Sequence, residues 1–401
     1  MDRSESSPEN LSATRMRYGM VGSAILFIGM AMLPVFGPSA IRDFFSVPRE
    51  SKQPVGILLA LTIPALSVAG VYAFVRPRLP GMTTRFVTFL VLLAVWMTDL
   101  HYSNVDLARF TERFRDNVAW QRDLHVRVIG LAPDALPHSY RFLPNGLLAH
   151  IHKLTGNFLI STLIYRFTFY FLSLCAIYAY ARKFVSTGQA RVAVLLWLLA
   201  YPISIRYYAG QLADPFSHFT FVFALILTER RDAWGLAPTV LMSMLAKETI
   251  LIMPVFYALR HWPDRRACGQ MVGLFAVAVL GAFLLRFYVS DGFSYKQISG
   301  VGPAYLLTNL SDLIYWPRQM LGTIGILFPL TILGWKRAAA PVRQAVLFLA
   351  PCLILSTMIF SSMREARNYM PLVVPMAVIG AGVVLREIET SPGESARGTN
   401  S

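Results

Sequence analysis

A lysine and a glutamate stand side by side within a long apolar stretch, in the segment SMLAKETILIMP at 243–254. Ionisable residues at membrane depth are costly in free energy, and they usually face a partner or a watery cavity. Lys247 and Glu248 therefore have two interpretations: a structural pair that neutralises itself, or the floor of a polar cavity where Lys247 meets an anionic ligand. We favour the cavity, because intramembrane charges are most often functional.

A second polar cluster lies in RYYAGQLADPFSHF at 206–219, which contains Arg206, Asp214 and His218. Asp214 and His218 are four residues apart and would share one face of a helix. This spacing suits a pair of metal ligands, but no third ligand is near in sequence, so a divalent metal ion stays an open alternative. Capping of a helix by Asp214, which precedes Pro215, is the favoured interpretation.

A third cluster, SSMREARNYMPLVVP at 361–375, contains Arg364 and Arg367 in a very short turn. The turn is predicted on the side of the membrane from which positive charge is normally excluded, so the two arginines need a reason. They could reach lipid headgroups from a helix end, or their guanidinium groups could grip a phosphate, whose oxygens they match well. The residues alone leave these two alternatives equal.

Two carboxylates come at or soon after the end of the third long apolar stretch. Asp99 lies at the end of that stretch, and Asp106 is the first carboxylate beyond the predicted membrane boundary. A reaction at the interface needs a base near this place, and a carboxylate can serve as one. The alternative is that both residues belong to a solvated cap over the membrane part.

The composition indicates what kind of protein must position these residues. The chain has 401 residues, of which 55% are hydrophobic and 15% are charged, and its mean hydropathy is +0.51. These values predict a polytopic membrane protein of the all-α class. The apolar runs are continuous, whereas the strands of a lipid-facing barrel would alternate. About ten runs approach the roughly 20 residues that a span needs, namely 18–37, 54–75, 84–101, 157–180, 192–208, 213–228, 271–289, 317–335, 344–362 and 368–385.

The apolar stretch 235–259 is a special case, because arginines lie close to both of its ends. The positive-inside rule assigns both flanks to the cytoplasm. Each half of the stretch reaches only about 17 Å as a helix, which is too short to cross the hydrocarbon core. We therefore predict a re-entrant pair of short helices with Lys247 and Glu248 at its turn; a single span is the less favoured alternative.

The positive-inside rule also assigns the other hydrophilic segments of the chain to the inside or the outside of the membrane. The outside loop carries two amphipathic pieces, Asp106 to Leu124 and Leu143 to Leu154, which are predicted to lie on the membrane surface as helices. The predicted divisions are a cytoplasmic tail at 1–17, a transmembrane hairpin at 18–83, a transmembrane core at 84–289 that includes the outside loop 102–156, C-terminal transmembrane helices at 290–385, and a disordered cytoplasmic tail at 386–401.

These features occur in a characteristic order with several short motifs. After the acidic residue and the long loop come YRFLPNGLL from Tyr140, the aspartate at 214, GLAPTVLMSMLAKE and finally REARNYMPLVVP. This order resembles that of the GT-C superfamily of membrane glycosyltransferases over roughly 84–385. In this chain the long loop follows the third span rather than the first, and the loop lacks the adjacent Asp-Glu pair of several members.

The resemblance implies transfer of a sugar from a polyprenyl-phosphate carrier to a lipid, glycan or protein acceptor, at the periplasmic face of a bacterial inner membrane. Asp106, or less favourably Asp99, would match the acidic residue that binds or deprotonates the acceptor. Lys247, Arg364 and Arg367 would stand near the donor phosphate. The other candidate substrate-binding residues are Tyr140, Arg141, Arg206, Asp214, His218 and Glu248.

Two other function classes fit part of the pattern. A transporter or flippase for a lipid-linked or anionic solute would use the same buried charges with broken helices at the midplane, and an O-antigen-type polymerase would share the large outside loop and the arginines. A transporter should contain internal repeats, and none is convincing here. The net charge of +15 follows the predicted cytoplasmic loops and indicates attraction to anionic membrane lipids rather than nucleic-acid binding.

Overall fold

The structure, a computed structural model, describes most of the predicted transmembrane core and most of the C-terminal part of the chain. Within the residues that it describes, all regular structure is helical, which confirms the all-α fold class. The predicted tail at 1–17, most of the predicted hairpin at 18–83 and residues 391–401 of the predicted tail at 386–401 lie outside these residues and stay predictions, whereas 386–390 are helical. The described residues are 79, 81–103, 110–130, 140–205, 212–290, 303–311, 324–325, 327–361, 363 and 365–390.

Most of the helices lie in the apolar stretches of the sequence, whereas Phe110–Ile129 and Phe142–Thr155 lie largely in the amphipathic pieces of the predicted outside loop. Short 3₁₀ turns at Glu248–Leu251 and Ala366–Tyr369 interrupt the helical chain at the two charged motifs. In chain order the α-helices of the described residues are α1 (Thr84–Ser103), α2 (Phe110–Ile129), α3 (Phe142–Thr155), α4 (Phe158–Ala181), α5 (Thr187–Ile205), α6 (Ala213–Glu229), α7 (Ala233–Met244), α8 (Ile252–Arg260), α9 (Arg265–Ser290), α10 (Pro303–Ser311), α11 (Leu327–Gly334), α12 (Ala340–Phe360) and α13 (Met370–Thr390).

Four helical segments of the described part are long and apolar enough to cross a membrane. They correspond to four of the predicted spans and are consistent with a membrane protein. Helices α1, α5 and α6 coincide with further predicted spans, whose crossing of a membrane stays a prediction. The four segments are Phe158–Ala181, Arg265–Phe283, Ala340–Ile359 and Ala366–Leu385.

The core of the fold lies around α13, which packs against α5, α11 and α12. Val373 and Ala377 on α13 are completely buried. In contrast, α9 and α12 leave large apolar side chains uncovered, among them Val272 and Leu347. Exposed apolar faces of this kind on long helices suit contact with lipid.

Helices α7 and α8 form a hairpin that is broken at the charged motif. Asp232 caps α7 by accepting a hydrogen bond from the Gly235 backbone N–H at 3.0 Å. Beyond the break, α8 runs back toward the start of α7. At the end of α8, Arg260 donates hydrogen bonds of 3.0–3.2 Å to both carboxylate oxygens of Glu229, which is the last residue of α6. His261 Nε2 donates a hydrogen bond to the Thr228 carbonyl oxygen at 2.8 Å. The two far ends of the hairpin therefore meet beside the end of α6.

Gly334 allows α11 to pack closely on α13. A Cβ atom at Gly334 would lie 2.7 Å from Cγ2 of Ile379 and 2.9 Å from the carbonyl oxygen of that residue, whereas a Cβ at Gly273 on α9 would meet nothing within 4 Å. We expect Gly334→Ala to lower the free energy of unfolding by about 1–3 kcal/mol through overpacking. Gly273→Ala should raise it by up to about 1 kcal/mol through helix propensity. The melting temperatures of the two purified variants in detergent report both changes in stability. Equal melting temperatures of Gly334→Ala and Gly273→Ala would contradict the close packing of α11 on α13.

Candidate functional site

The candidate site is a buried cluster of charges centred on Asp214 in the first turn of α6. Lys247 Nζ lies 3.2 Å from Asp214 Oδ1, and Arg367 Nη1 lies 2.9 Å from Asp214 Oδ2. The three residues are 6%, 8% and 4% exposed, in the order Asp214, Lys247 and Arg367. One carboxylate thus bridges two cations from segments that are far apart in sequence.

Glu365 adds a second carboxylate to the cluster. It accepts hydrogen bonds from Arg367 Nη2 at 2.8 Å and from Arg367 Nε at 3.3 Å. Asn368 Nδ2 donates to Glu365 Oε2 at 3.4 Å and to Ser361 Oγ at 3.1 Å. Burial alone would raise the pKa of Glu365, but the charge and hydrogen bonds of Arg367 outweigh burial and leave this pKa below its ordinary value. Glu365 is therefore ionised at neutral pH, and the cluster of two cations and two anions is electrically balanced.

A second ion pair lies beside the first, at the start of α3. Arg141 Nη2 is 3.7 Å from Glu248 Oε2. The backbone N–H of Leu143 donates to the Leu245 carbonyl oxygen at 3.3 Å, which joins the start of α3 to the break between α7 and α8. Tyr140, two residues before this helix, is buried. The apolar face of α3 packs on α4 of the protein rather than on lipid.

His218 lies one helical turn beyond Asp214. Its Nε2 is 3.4 Å from the carbonyl oxygen of Arg367, so the ring donates from that nitrogen. Its Nδ1 is buried without a hydrogen-bond partner in the described part of the protein. His218 therefore presents one unsatisfied acceptor next to the charge cluster.

The backbone at the break explains why Lys247 and Glu248 reach different partners. Lys247 has an extended conformation, with φ −162° and ψ 129°, between α7 and the 3₁₀ turn. Successive side chains of extended backbone point to opposite sides, so Lys247 contacts Asp214 while Glu248 contacts Arg141. Ser243 steadies the break, because its carbonyl oxygen accepts the Lys247 N–H at 2.7 Å.

Three sequence interpretations are wrong in the structure. Asp214 does not cap α6: the N-cap residue is Leu212, which makes no side-chain capping bond, and the Asp214 carboxylate binds Lys247 and Arg367 instead. Lys247 and Glu248 do not neutralise each other, because each pairs with another residue. Arg367 does not extend to lipid headgroups, since it is buried.

The predicted site residues are only partly brought together. Asp214, His218, Lys247 and Arg367 meet, and Arg141 and Glu248 lie alongside. Asp99 is exposed on α1, while Asp106, Arg206 and Arg364 lie outside the described residues and stay predictions.

Sequence reasoning missed Glu365 and Asn368 as members of the site. Glu365 stands between two arginines in the motif REARN, and an acidic residue between two basic ones is the signal that could have found it. Nothing in the sequence distinguished Asn368.

A metal ion is not indicated by the described residues. No group of three histidine, cysteine, aspartate or glutamate side chains is close enough to hold one in the ranges that the structure covers. Both oxygens of Asp214 are occupied by cationic nitrogens, which would repel a second cation. Asp214 and His218 are thus better described as part of an ion cluster than as a metal pair.

Comparison with known proteins does not assign the chain. No protein-family model, no curated protein and no solved structure matches it. The functional assignment therefore depends on the residues of the site and on their chemistry.

Proposed function

We propose that this protein is a membrane glycosyltransferase that takes a sugar from a polyprenyl-phosphate carrier and transfers it to a lipid, glycan or protein acceptor. The observation that carries the proposal is the convergence of Lys247 and Arg367 on Asp214 in a buried site. Fixed cations in a poorly solvated place are what a departing phosphate requires, because their orientation is already set before the reaction.

The Lys247 ammonium can bind a phosphate without leaving Asp214. An ammonium group has three N–H donors, and the structure assigns one of them to the Asp214 carboxylate. The carboxylate thus holds the ammonium in place, and the other donors can reach phosphate oxygens. Arg367 is held in the same way by Asp214 and Glu365.

The proposed reaction is a single displacement at the anomeric carbon of the donor sugar. Asp106 takes the proton of the acceptor hydroxyl as that oxygen attacks the carbon. The bond from this carbon to the phosphate oxygen breaks, and its electron pair stays on the phosphate, whose oxygens accept hydrogen bonds from the preoriented donors of Lys247 and Arg367. A single displacement inverts the configuration at the anomeric carbon.

The proposed topology places this chemistry at the periplasmic face of a bacterial inner membrane. We propose about ten full spans and a re-entrant pair formed by α7 and α8. The lengths of these helices support the pair: at about 1.5 Å per residue, α7 and α8 reach only about 18 Å and 14 Å, less than the hydrocarbon core of about 30 Å. A carrier with a lipid tail would enter sideways between the helices.

A transporter or flippase is the second candidate. The broken hairpin with a balanced ion cluster at its turn favours it, because discontinuous helices with charges at the break form the binding sites of many transporters. The two candidates differ in the fate of the sugar–phosphate bond. A carrier labelled in its sugar should lose the label to an acceptor in the presence of the enzyme, whereas a transporter would move the carrier intact.

The Lys247 side chain gives a direct test of donor binding. We expect Lys247→Ala to weaken the binding of polyprenyl phosphate to the purified protein by about tenfold or more, the value of a hydrogen bond to a charged group. Lys247→Arg should weaken it less, since it keeps the charge. Native mass spectrometry of samples titrated with polyprenyl phosphate measures both affinities. Lys336→Ala, which removes an exposed lysine, is the control. If the Ala and Arg variants bound polyprenyl phosphate with equal affinity, the role of Lys247 would be purely structural.

A further inference from the structure

A polar cavity lies at the end of the hairpin opposite the charge cluster, where the far ends of α7 and α8 meet. Its volume is about 290 Å³, and residues from the ends of α6, α7, α8 and α9 surround it. The proposed enzyme mechanism makes no use of this cavity, since the charge cluster lies at the break, about 18 Å away along α7.

Arg231 in this cavity has a backbone conformation that normally belongs to glycine. Its φ is +54°. It occupies the position after the C-cap of α6 in a Schellman motif, in which the Asp232 N–H donates to the Leu227 carbonyl and the Arg231 N–H donates to the Thr228 carbonyl. An L-residue pays roughly 1–2 kcal/mol for the left-handed conformation. An arginine at this position is therefore explained best by what its side chain does.

The charges around the cavity come in two pairs. Arg231 and Arg266 contribute two cations, and Asp232 and Asp264 contribute two carboxylates. Each carboxylate uses Oδ1 to cap a helix, accepting from the Gly235 N–H in one case and from the Arg266 N–H in the other. The second oxygen of each has no hydrogen-bond partner within the described ranges. The cavity therefore offers cationic donors and anionic acceptors at once.

The edge of the cavity has the character of a membrane interface. Trp234, which lines the cavity, is 63% exposed, and Trp262, next to the lining residue His261, is 70% exposed. Exposed tryptophan beside several arginines is typical of segments that sit at lipid headgroup level. A ligand of this cavity would thus come from the headgroup region.

We propose that this cavity binds a phosphoethanolamine group, with the phosphate on Arg231 and Arg266 and the ammonium on Asp232 and Asp264. The source is the headgroup of a membrane lipid at the predicted cytoplasmic surface. A phosphate matches guanidinium donors, and a primary ammonium has N–H donors for the two carboxylates. A purely anionic headgroup would leave both carboxylates without a partner.

The test measures lipid binding to the full-length protein in detergent. Native mass spectrometry is used with phosphatidylethanolamine, phosphatidylglycerol, phosphatidylcholine and soluble phosphoethanolamine as separate probes. We expect phosphatidylethanolamine to bind about tenfold or more tightly than phosphatidylcholine, whose ammonium has no N–H to donate. Equally tight binding of soluble phosphoethanolamine would support the site and assign it to a free ligand. Equal binding of all three lipids would overturn the proposal.

Two variants separate binding from folding. Arg231→Gly should weaken phosphatidylethanolamine binding about tenfold while the melting temperature without lipid stays equal or rises, because glycine suits the left-handed conformation. Arg266→Gln should weaken binding similarly. Arg343→Gln is the matched control, since Arg343 also lies in the first turn of a long apolar helix, α12, but not at the cavity. Unchanged binding in Arg231→Gly and Arg266→Gln would overturn the proposal, and neither result bears on sugar transfer.

Discussion

Replacing Asp214 by alanine should lower the free energy of unfolding by about 3–5 kcal/mol, the usual effect of removing one partner of a buried ion pair. The variant would leave Lys247 and Arg367 close together in a buried place without the carboxylate that bridges them. Arg367 would keep Glu365 as a partner, so the ammonium of Lys247 would be the main uncompensated charge. The melting temperature of the purified variant in detergent measures the effect.

The chain offers a matched control for this variant. Asp123 forms an ion pair with Arg127 at 2.8 Å, one turn apart on α2, but its side chain is 62% exposed. Asp123→Ala should therefore change the free energy of unfolding by less than about 1 kcal/mol, as is typical of surface ion pairs. If both variants had the same melting temperature, the Asp214 cluster would have to be open to water.

A double variant distinguishes the stability of the cluster from its use. Asp214→Asn combined with Lys247→Met removes one anion and one cation together, and the asparagine oxygen can still accept from Arg367. Replacing a buried ion pair by neutral groups of similar size is often close to neutral for stability, so we expect most of the lost stability to return. Binding of polyprenyl phosphate should stay weak, because the ammonium is gone. Recovery of binding together with stability would count against a phosphate role for Lys247.

The positions of the helices were largely predictable from the sequence, because a long apolar run between basic turns has few other ways to satisfy its backbone. The predicted spans 157–180 and 344–362 agree with α4 and α12 within a few residues. The interruption at Lys247 was predictable for the same reason, since two charges within an apolar stretch require special surroundings.

The partners of the charged residues were not predictable from a single sequence. Asp214 and Arg367 are 153 residues apart, and no local rule connects residues at that distance. A short-range rule gave the wrong interpretation of Asp214, because an aspartate before a proline suggested a helix cap. The tertiary contacts of Asp214 overrode this local preference, which is worth only about 1 kcal/mol.

The hairpin of α7 and α8 connects two places with different chemistry. Its turn carries Lys247 in a buried, balanced ion cluster, and its far end forms the cavity that contains Arg231. The bidentate pair between Arg260 and Glu229 joins this far end to α6, the helix that also carries Asp214. The position of Lys247 relative to Asp214 is therefore set at both ends of the hairpin.

Replacing Asp106 by asparagine should reduce sugar transfer by about 10²–10⁴-fold, the range that a positioned general base contributes. Asparagine has nearly the same shape but cannot accept the proton of the acceptor hydroxyl, so the reaction loses its base and keeps its donor site. The binding of polyprenyl phosphate and the melting temperature should both stay at the wild-type value. Transfer is measured in membranes that contain the protein, as movement of label from a polyprenyl-phosphate-linked sugar into other membrane or envelope material.

Asp99→Asn is the matched control for this prediction, because Asp99 is the other carboxylate near the same predicted boundary and is exposed on α1. It should keep transfer within about threefold of the wild type if Asp106 is the base, a difference of less than about 1 kcal/mol in the barrier. Loss of transfer in Asp99→Asn with normal transfer in Asp106→Asn would assign the base to α1. Normal transfer in both variants would show that neither carboxylate is the base, and it would overturn the mechanism proposed for sugar transfer.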